Sequence, residues 1–266
     1  LSVADFIYDN TRLSEFQDGK YVMASFSSTT TPTEGQRDIT QTSLFMGKEQ
    51  PFLYQIYSST LAFTITIIKN PCKTDEISIS IEEMEALKRW LCRPAPHVFK
   101  LPETEYQGVH WDGSFNITEE LSGSRRIGAT LNFISTRPYA VQDDVTYSGT
   151  ATANEQIIIN DTSVELGYLY PEVIITCSTS GDLVIHNDFE EDRDTIVKNC
   201  TNGETLTFSK YLQLQSSQES HNVYDDFNFK FLRICNNYLT NENIITFSLP
   251  CEYTIVYNPI RKVIPV

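Results

Sequence analysis

The sequence is short of basic charge. Its 266 residues carry 20 Lys and Arg against 35 Asp and Glu, so the formal charge is 20 − 35 = −15. With a pI near 4.6, the chain is not a basic nucleic-acid binder of the usual kind. Long apolar runs are missing too. The longest, Leu61–Ile68, falls far short of the roughly 20 residues that span a bilayer as a helix. Leu1–Asn10 has two acids and no base, which argues against a signal peptide or transit sequence there. The six cysteines, at 72, 92, 177, 200, 235 and 251, include no Cys-x-x-Cys pair. That excludes zinc-ribbon spacing, and so few are thin for a secreted disulfide scaffold. They are expected to be reduced, mostly buried thiols in a protein that folds in a cytoplasm. Four histidines are scattered at 97, 110, 186 and 221, a spacing unlike a local metal cluster. There is no Gly-x-Ser-x-Gly, no His-Glu-x-x-His and no phosphate loop, so no catalytic, cofactor-binding or metal residues are expected.

What is present is apolar material in strand order. Hydrophobic residues make up 40% of the chain, with 15 Phe and 14 Tyr, enough to build a core. Period-two alternation recurs: Phe63/Ile65/Ile67, Ile77/Ile79/Ile81, Ala129/Leu131/Phe133, Val173/Ile175/Cys177, Leu206/Phe208 and Tyr253/Ile255/Tyr257. Each set predicts a strand with one buried face. Ser180-Gly181, between Val173–Cys177 and Leu183–Ile185, predicts a hairpin turn. Many short strands with polar turns indicate a mainly β protein of two β-sandwich domains. One helix interrupts them, at about 80–92. Ser80 is its N-cap and Glu83 completes a capping box, with Ile79 and Met84 as a staple. Met84, Leu87 and Leu91 share a face, and Pro94 and Pro96 forbid continuation. Ser25–Ser43 and Gln213–Asp226 read as polar loops. The boundary falls near Tyr139, giving domains 1–139 and 140–266.

Several features invite chemistry. The acidic run Asp188–Asp194 lacks the order of a calcium loop and reads as a solvated hairpin tip. Glu103/Glu105 and Glu119/Glu120 are carboxylate pairs of the kind used in glycoside hydrolysis, but 35 acids produce such pairs by chance. Trp111 could face a sugar; packing on the core is the preferred reading. His186 reads as a solvated or hydrogen-bonded strand-end residue. Three glycosylation sequons begin at Asn116, Asn160 and Asn199, as chance allows in an Asn- and Thr-rich chain.

The order of elements carries a resemblance. A lone helix ends Leu87-Lys-Arg-Trp90-Leu91, Tyr106-Gln-Gly-Val109 follows, and Gly128-Ala-Thr-Leu-Asn-Phe133 closes on Arg137-Pro138-Tyr139. A second half opens at Gly167-Tyr-Leu-Tyr-Pro171 and ends with Asn243–Phe247 and Tyr253–Tyr257. This resembles the distal tail protein of long-tailed, non-contractile bacteriophages. The resemblance implies an N-terminal belt domain that closes into a homo-hexameric ring and a C-terminal galectin-like β-sandwich. It implies a virion protein of the tail tip, made in the host bacterial cytoplasm; the missing nucleophile, base and oxyanion constellation separately predicts no enzyme activity and no cofactor. Implied partners are the tail tube protein, the tail-tip hub or tail-associated protein, and the tape-measure and receptor-binding proteins. The ring's channel would pass DNA without specific nucleic-acid binding, and no membrane is involved. The region Thr33–Asp38 departs from the Gly-rich, basic segment common in the family. The competing reading is a carbohydrate-binding β-sandwich module or glycosidase accessory domain of a cell-surface system.

Overall fold

A computed structural model describes residues 5–27, 37–42, 52–57, 61–190 and 192–263. It is mostly β and divides into two compact units. Unit 1 runs to Val141 and takes the chain back at Arg261; unit 2 is Gln142–Ile260.

Unit 1 is built on one antiparallel sheet of nine strands. Its main path is Thr11–Arg12, Ile7–Tyr8, His97–Lys100, Val109–Ser122, Arg125–Ser135, Ala62–Lys69, Tyr21–Ser27. The expected alternation sets the core. Phe63, Ile65 and Ile67 are buried directly opposite Phe133, Leu131 and Ala129, so cross-strand pairs fill one face. Phe99 is the hub of an aromatic cluster, with ring centroids 5.1 Å from Phe63, 5.2 Å from Phe133 and 5.7 Å from Phe6. Trp111 is fully buried beside it, and its Nε1–H finds no acceptor among the described residues. Two residues on, Gly113 makes room for Phe133: a Cβ there would collide with the Phe133 ring and the Ile134 carbonyl.

The helix Ile81–Leu91 begins as the sequence predicts. Ser80 Oγ accepts from the Glu83 N–H at 3.2 Å, and Glu83 Oε2 accepts from the Ser80 N–H at 2.9 Å. Met84, Leu87, Trp90 and Leu91 are buried. The Trp90 ring stacks on Phe16 at 4.5 Å and on Phe6 at 5.8 Å, and its Nε1–H donates to the Tyr8 carbonyl. Ile77–Ile81 is not a strand, despite its alternation. Ile77 and Ile81 are exposed and only Ile79 is buried. One hydrogen bond, from the Ile79 N–H to the Arg126 carbonyl, fixes the segment before the cap turns it helical.

Two polar stretches expected as loops contain regular structure. Within Ser25–Ser43, strand Tyr21–Ser27 continues to Ser27 and Arg37–Thr42 pairs with Phe52–Tyr57; residues 28–36 and 43 lie outside the described residues. Gln213–Asp226 holds strand Leu214–Ser216 and the short helix Val223–Asp226. Their buried anchors, Leu214 and Val223, are single residues in polar surroundings, too sparse to show a period.

Unit 2 is a sandwich. One sheet runs Val145–Ala151, Cys251–Tyr257, Glu172–Cys177, Thr205–Phe208, Leu214–Ser216. The other runs Ile157–Asn160, Glu242–Phe247, Gly181–Asn187, Thr195–Cys200. Val173, Ile175, Leu206, Phe208 and Ile255 of the first sheet share a core with Leu183, Ile185, Val197, Ile245 and Phe247 of the second. Ser180-Gly181 therefore does not make a hairpin. Glu172–Cys177 and Gly181–Asn187 belong to opposite sheets, and the turn carries the chain across the sandwich. Both strands bury an alternate face, so the pattern alone fits pairing and crossing equally.

Removing the cap by Ser80→Ala should cost about 1 kcal/mol of stability. Leu87→Ala should cost about 2–5 kcal/mol by opening a core cavity. Glu83→Gln keeps a capping side chain but leaves Lys69, whose Nζ lies 2.8 Å from Glu83 and whose side chain is 4% exposed, with only the exposed carboxylate of Glu76, at 3.5 Å, as counter-ion. A loss on the order of 3 kcal/mol is expected there. Urea midpoints for the three variants check the order.

Candidate functional site

The residues singled out from the sequence do not converge. His97 lies 3.1 Å from Asp9, which also pairs with Arg93. His97 and His110 line an open cleft with Asp9, Asp112 and Lys100. His186 is bonded to Asp194 at 2.7 Å and faces Asp188 at 3.2 Å. The acidic run is the connection of a hairpin between Gly181–Asn187 and Thr195–Cys200. It is more than a solvated tip, because Glu190 pairs with Arg233 at 3.0 Å and Arg193 donates to the Phe231 carbonyl. Glu119 is taken up by Lys88, at 2.7 Å, and Arg126. Two hydrogen bonds and two cations hold its carboxyl below the usual range. Glu120 accepts from Thr130. Among the described residues, no group of His, Cys, Asp and Glu is arranged to hold a metal ion.

One titratable cluster was not legible in the sequence. Glu204 is fully buried in unit 2. Its Oε1 accepts from Ser216 Oγ at 2.6 Å and meets His221 Nδ1 at 2.6 Å, while Oε2 accepts from the Thr201 N–H at 2.8 Å. The other imidazole nitrogen faces Asp226 at 3.2 Å. Burial alone would raise the Glu204 carboxyl, but the bonds from Ser216, His221 and Thr201 outweigh it and hold the acid ionised. Burial would lower His221, but the two carboxylates outweigh that and raise it. Glu204 follows a turn at Asn202-Gly203, and its partner lies 17 residues on. The side chains meet through a strand and a short helix that the polar pattern concealed.

Among the described residues, several large apolar side chains are exposed. In unit 1, Ile68, Ile77 and Ile127 line an open groove with Pro71 and Thr74, and Leu121 is exposed on the strand beside Ile127. In unit 2, Tyr238 and Leu239 are 93% and 94% exposed. Asn237 holds their turn, its Oδ1 accepting from the Leu239 and Thr240 N–H groups. Elsewhere in this unit Arg233 lies 3.8 Å over the exposed Tyr168 ring and is fixed by Tyr170 and Glu190.

Known proteins match both halves. A family described as phage tail protein N-terminal domain matches residues 1–137, and one described as phage tail C-terminal domain matches residues 139–257. The chain belongs to this phage tail protein family. No curated protein matches it in sequence. Its fold is similar to that of the Dit protein (gp 19.1) of phage SPP1, with a TM-score of 0.69. The match covers 97% of this chain and 99% of that one at 10% identity. The SPP1 protein is described as a paradigm of the hub adsorption apparatus in phages that infect Gram-positive bacteria. The present protein is thus a structural component of a virion tail, with the distal-tail fold.

In a tail protein, the Glu204–His221–Asp226 cluster is a structural clasp, and it makes stability depend on pH. Glu204, held low, stabilises unit 2 above the ordinary carboxyl value of 4.5 and loses that contribution as pH falls. His221, held high, stabilises fully below the ordinary imidazole value of 6.5 and loses its contribution as pH rises through its folded value. Stability should therefore peak between the two. In thermal melts across pH, His221→Gln should flatten the alkaline limb and also shrink the acid limb, because Glu204 loses one of the groups that hold it ionised.

Proposed function

We propose that the protein is the distal tail adaptor of a long-tailed phage, six copies of which close into a ring between the tail tube and the tip hub. The observation that carries this reading is the fold likeness to SPP1 Dit over nearly the whole of both chains. Unit 1 would be the ring-forming belt, and unit 2 the galectin-like domain that carries host-recognition components. Tail tube, hub and tape-measure proteins would meet the ring, and DNA would leave through its channel. The apolar groove at Ile68, Ile77 and Ile127 suits a contact between copies, since a second copy would remove those side chains from water. A sugar-binding reading is less well supported. Trp111 is in the core, and Arg233 occupies one face of Tyr168. The protein would have no turnover of its own, and incubation with peptidoglycan or surface polysaccharides should release no product.

Six copies would carry 6 × −15 = −90 formal charge. Among the described residues, seven of the chain's 20 Lys and Arg pair with acids of the same chain: Lys20, Lys69, Lys88, Arg93, Arg126, Arg193 and Arg233. The lumen would accordingly be net negative and repel exiting DNA within about 8 Å at physiological salt. Light scattering and negative-stain images should reveal a six-fold ring. Ile77→Asp with Ile127→Asp should shift it to smaller species without lowering the unfolding midpoint of unit 2. A ring lined by unneutralised Lys or Arg would refute the charge argument, and a monomer at all concentrations would refute the ring.

A further inference from the structure

The sandwich of unit 2 has a strand at each edge of its two sheets, and most of these edges are blunted in recognised ways. Leu214–Ser216 and Ile157–Asn160 are only three and four residues long. Thr195–Cys200 carries Lys198, and Val197 bridges to Phe227. Val145–Ala151 has none of these devices. It is seven residues long, reads Val-Thr-Tyr-Ser-Gly-Thr-Ala without a charge or a proline, and pairs with Cys251–Tyr257 in unbroken register. The unit around it is strongly acidic. Residues 142–260 carry 5 Lys and Arg against 18 Asp and Glu, so 5 − 18 = −13.

The register shows which backbone groups face the open side. The Cys177 N–H donates to the Glu204 carbonyl at 2.9 Å, and the Cys177 carbonyl accepts from the Gly203 N–H at 2.7 Å. Both groups point away from Cys251, the residue opposite on the neighbouring strand. Hydrogen-bonded and non-hydrogen-bonded pairs alternate along an antiparallel ladder. Glu252, Thr254 and Val256 therefore bond toward Glu172–Cys177, while Cys251, Tyr253, Ile255 and Tyr257 bond toward Val145–Ala151. Their partners there are Ala151, Gly149, Tyr147 and Val145. The N–H and C=O groups of Thr146, Ser148 and Thr150 are left pointing outward. All three residues are exposed, and no described residue takes these groups up.

We propose that this edge docks a second copy of the chain, strand against antiparallel strand, about a two-fold axis at Ser148. The strand is self-complementary in that register. Thr146 stands opposite Thr150 of the second copy, and Ser148 opposite its own equivalent. These are the outward-facing residues of both strands, so every such pair is a hydrogen-bonded one. Three residues with two groups each, in two copies, close six bonds. The side chains agree with the backbone. Thr146 and Thr150 form a favourable cross-strand pair. On the other face Tyr147 falls opposite Gly149, which has no side chain to oppose the ring. Gly149 is kept bare within the chain as well, since a Cβ there would stand 3.1 Å from the Tyr253 hydroxyl. A shift of two residues sets Thr150 against Asp144, or Thr146 against Thr152, whose N–H is already held by Glu155. The uncharged strand is also where two units of charge −13 approach with least repulsion. Water solvates the open groups, so each bond adds little alone and the contact depends on all of them closing together. A two-fold contact cannot by itself close a six-fold ring. This one is therefore separate from the ring contact and joins copies of different rings or two free chains.

The test uses the full chain with Cys72→Ser and Cys92→Ser, which removes the two exposed thiols. Ser148→Cys then puts one thiol per copy at the two-fold axis. Cα atoms of a hydrogen-bonded pair are about 5.5 Å apart, within the disulfide range of about 4.4–6.8 Å. In oxidised glutathione a covalent dimer is expected on non-reducing gels, and dithiothreitol should return it to single chains. Thr146→Cys alone and Thr150→Cys alone should give no dimer, because each thiol lies roughly 13 Å along the strand from its equivalent. Mixed in equal amounts, those two variants should cross-link. No dimer from Ser148→Cys, or equal dimer from all three single variants, would overturn the proposal. A six-fold ring without the Ser148→Cys link would overturn this inference and leave the ring standing; the link without a ring would do the reverse.

Discussion

A buried ammonium needs a carboxylate, and in unit 1 that need fixes where the helix starts. Lys69 ends the strand Ala62–Lys69 with its side chain almost wholly enclosed. The nearer of its two carboxylate partners, Glu83, also closes the capping box on Ser80 and faces Lys20 at 3.5 Å. Burial alone would raise the Glu83 carboxyl, but Lys69 and the Ser80 N–H hold it below the usual range. One carboxylate thus anchors the helix N-terminus to the sheet. At the other end of the helix, Trp90 is clamped between Phe6 and Phe16 and bonded to the Tyr8 carbonyl. With both ends fixed, the apolar face of the helix has one place to lie, over the aromatic cluster around Phe99.

Unit 2 reaches the same end with buried polar groups. Asn243 is completely enclosed, yet its Oδ1 accepts from Asn187 and the Cys235 N–H, and its Nδ2 donates to the Cys235 and Asn241 carbonyls. It ties the small Gly167–Leu169/Ile234–Asn236 sheet to the four-stranded one. Glu204 does the corresponding work at the five-stranded sheet, joining the Thr201 turn, strand Leu214–Ser216 and His221. Buried polar groups of this kind hold a structure firmly only when every bond is made, and these two make theirs.

Much of this was legible in the sequence, for a physical reason. Alternation is a local record of which face is buried, and Phe63/Ile65/Ile67, Ala129/Leu131/Phe133 and Val173/Ile175/Cys177 all bury the face it names. The capping box is local too, spanning four residues. What alternation does not record is the partner. Val173–Cys177 and Leu183–Ile185 look the same whether they pair or lie in facing sheets, so the crossing at Ser180-Gly181 was misread. Ile77–Ile81 alternates without being a strand, because a cap and a single backbone bond decide its path. Glu204 and His221 lay outside any pattern; each is an ordinary polar residue until the fold brings them to 2.6 Å.

The distribution of chemistry then bears on function. Three of the four histidines sit against carboxylates of their own chain, at Asp9, Asp194 and Glu204. Glu119 and Glu190 are each engaged by two cations. A group held in this way is oriented toward its neighbour, which suits a structural role better than proton transfer to a substrate. The apolar side chains turned outward, Ile77 and Leu121 in unit 1 and Tyr238 and Leu239 in unit 2, are the opposite case. Their exposure to water is unfavourable in the isolated chain and is relieved when another surface covers them. In a tail component, that arrangement directs the free energy of the exposed surface into assembly and leaves the interior polar groups to keep each unit rigid.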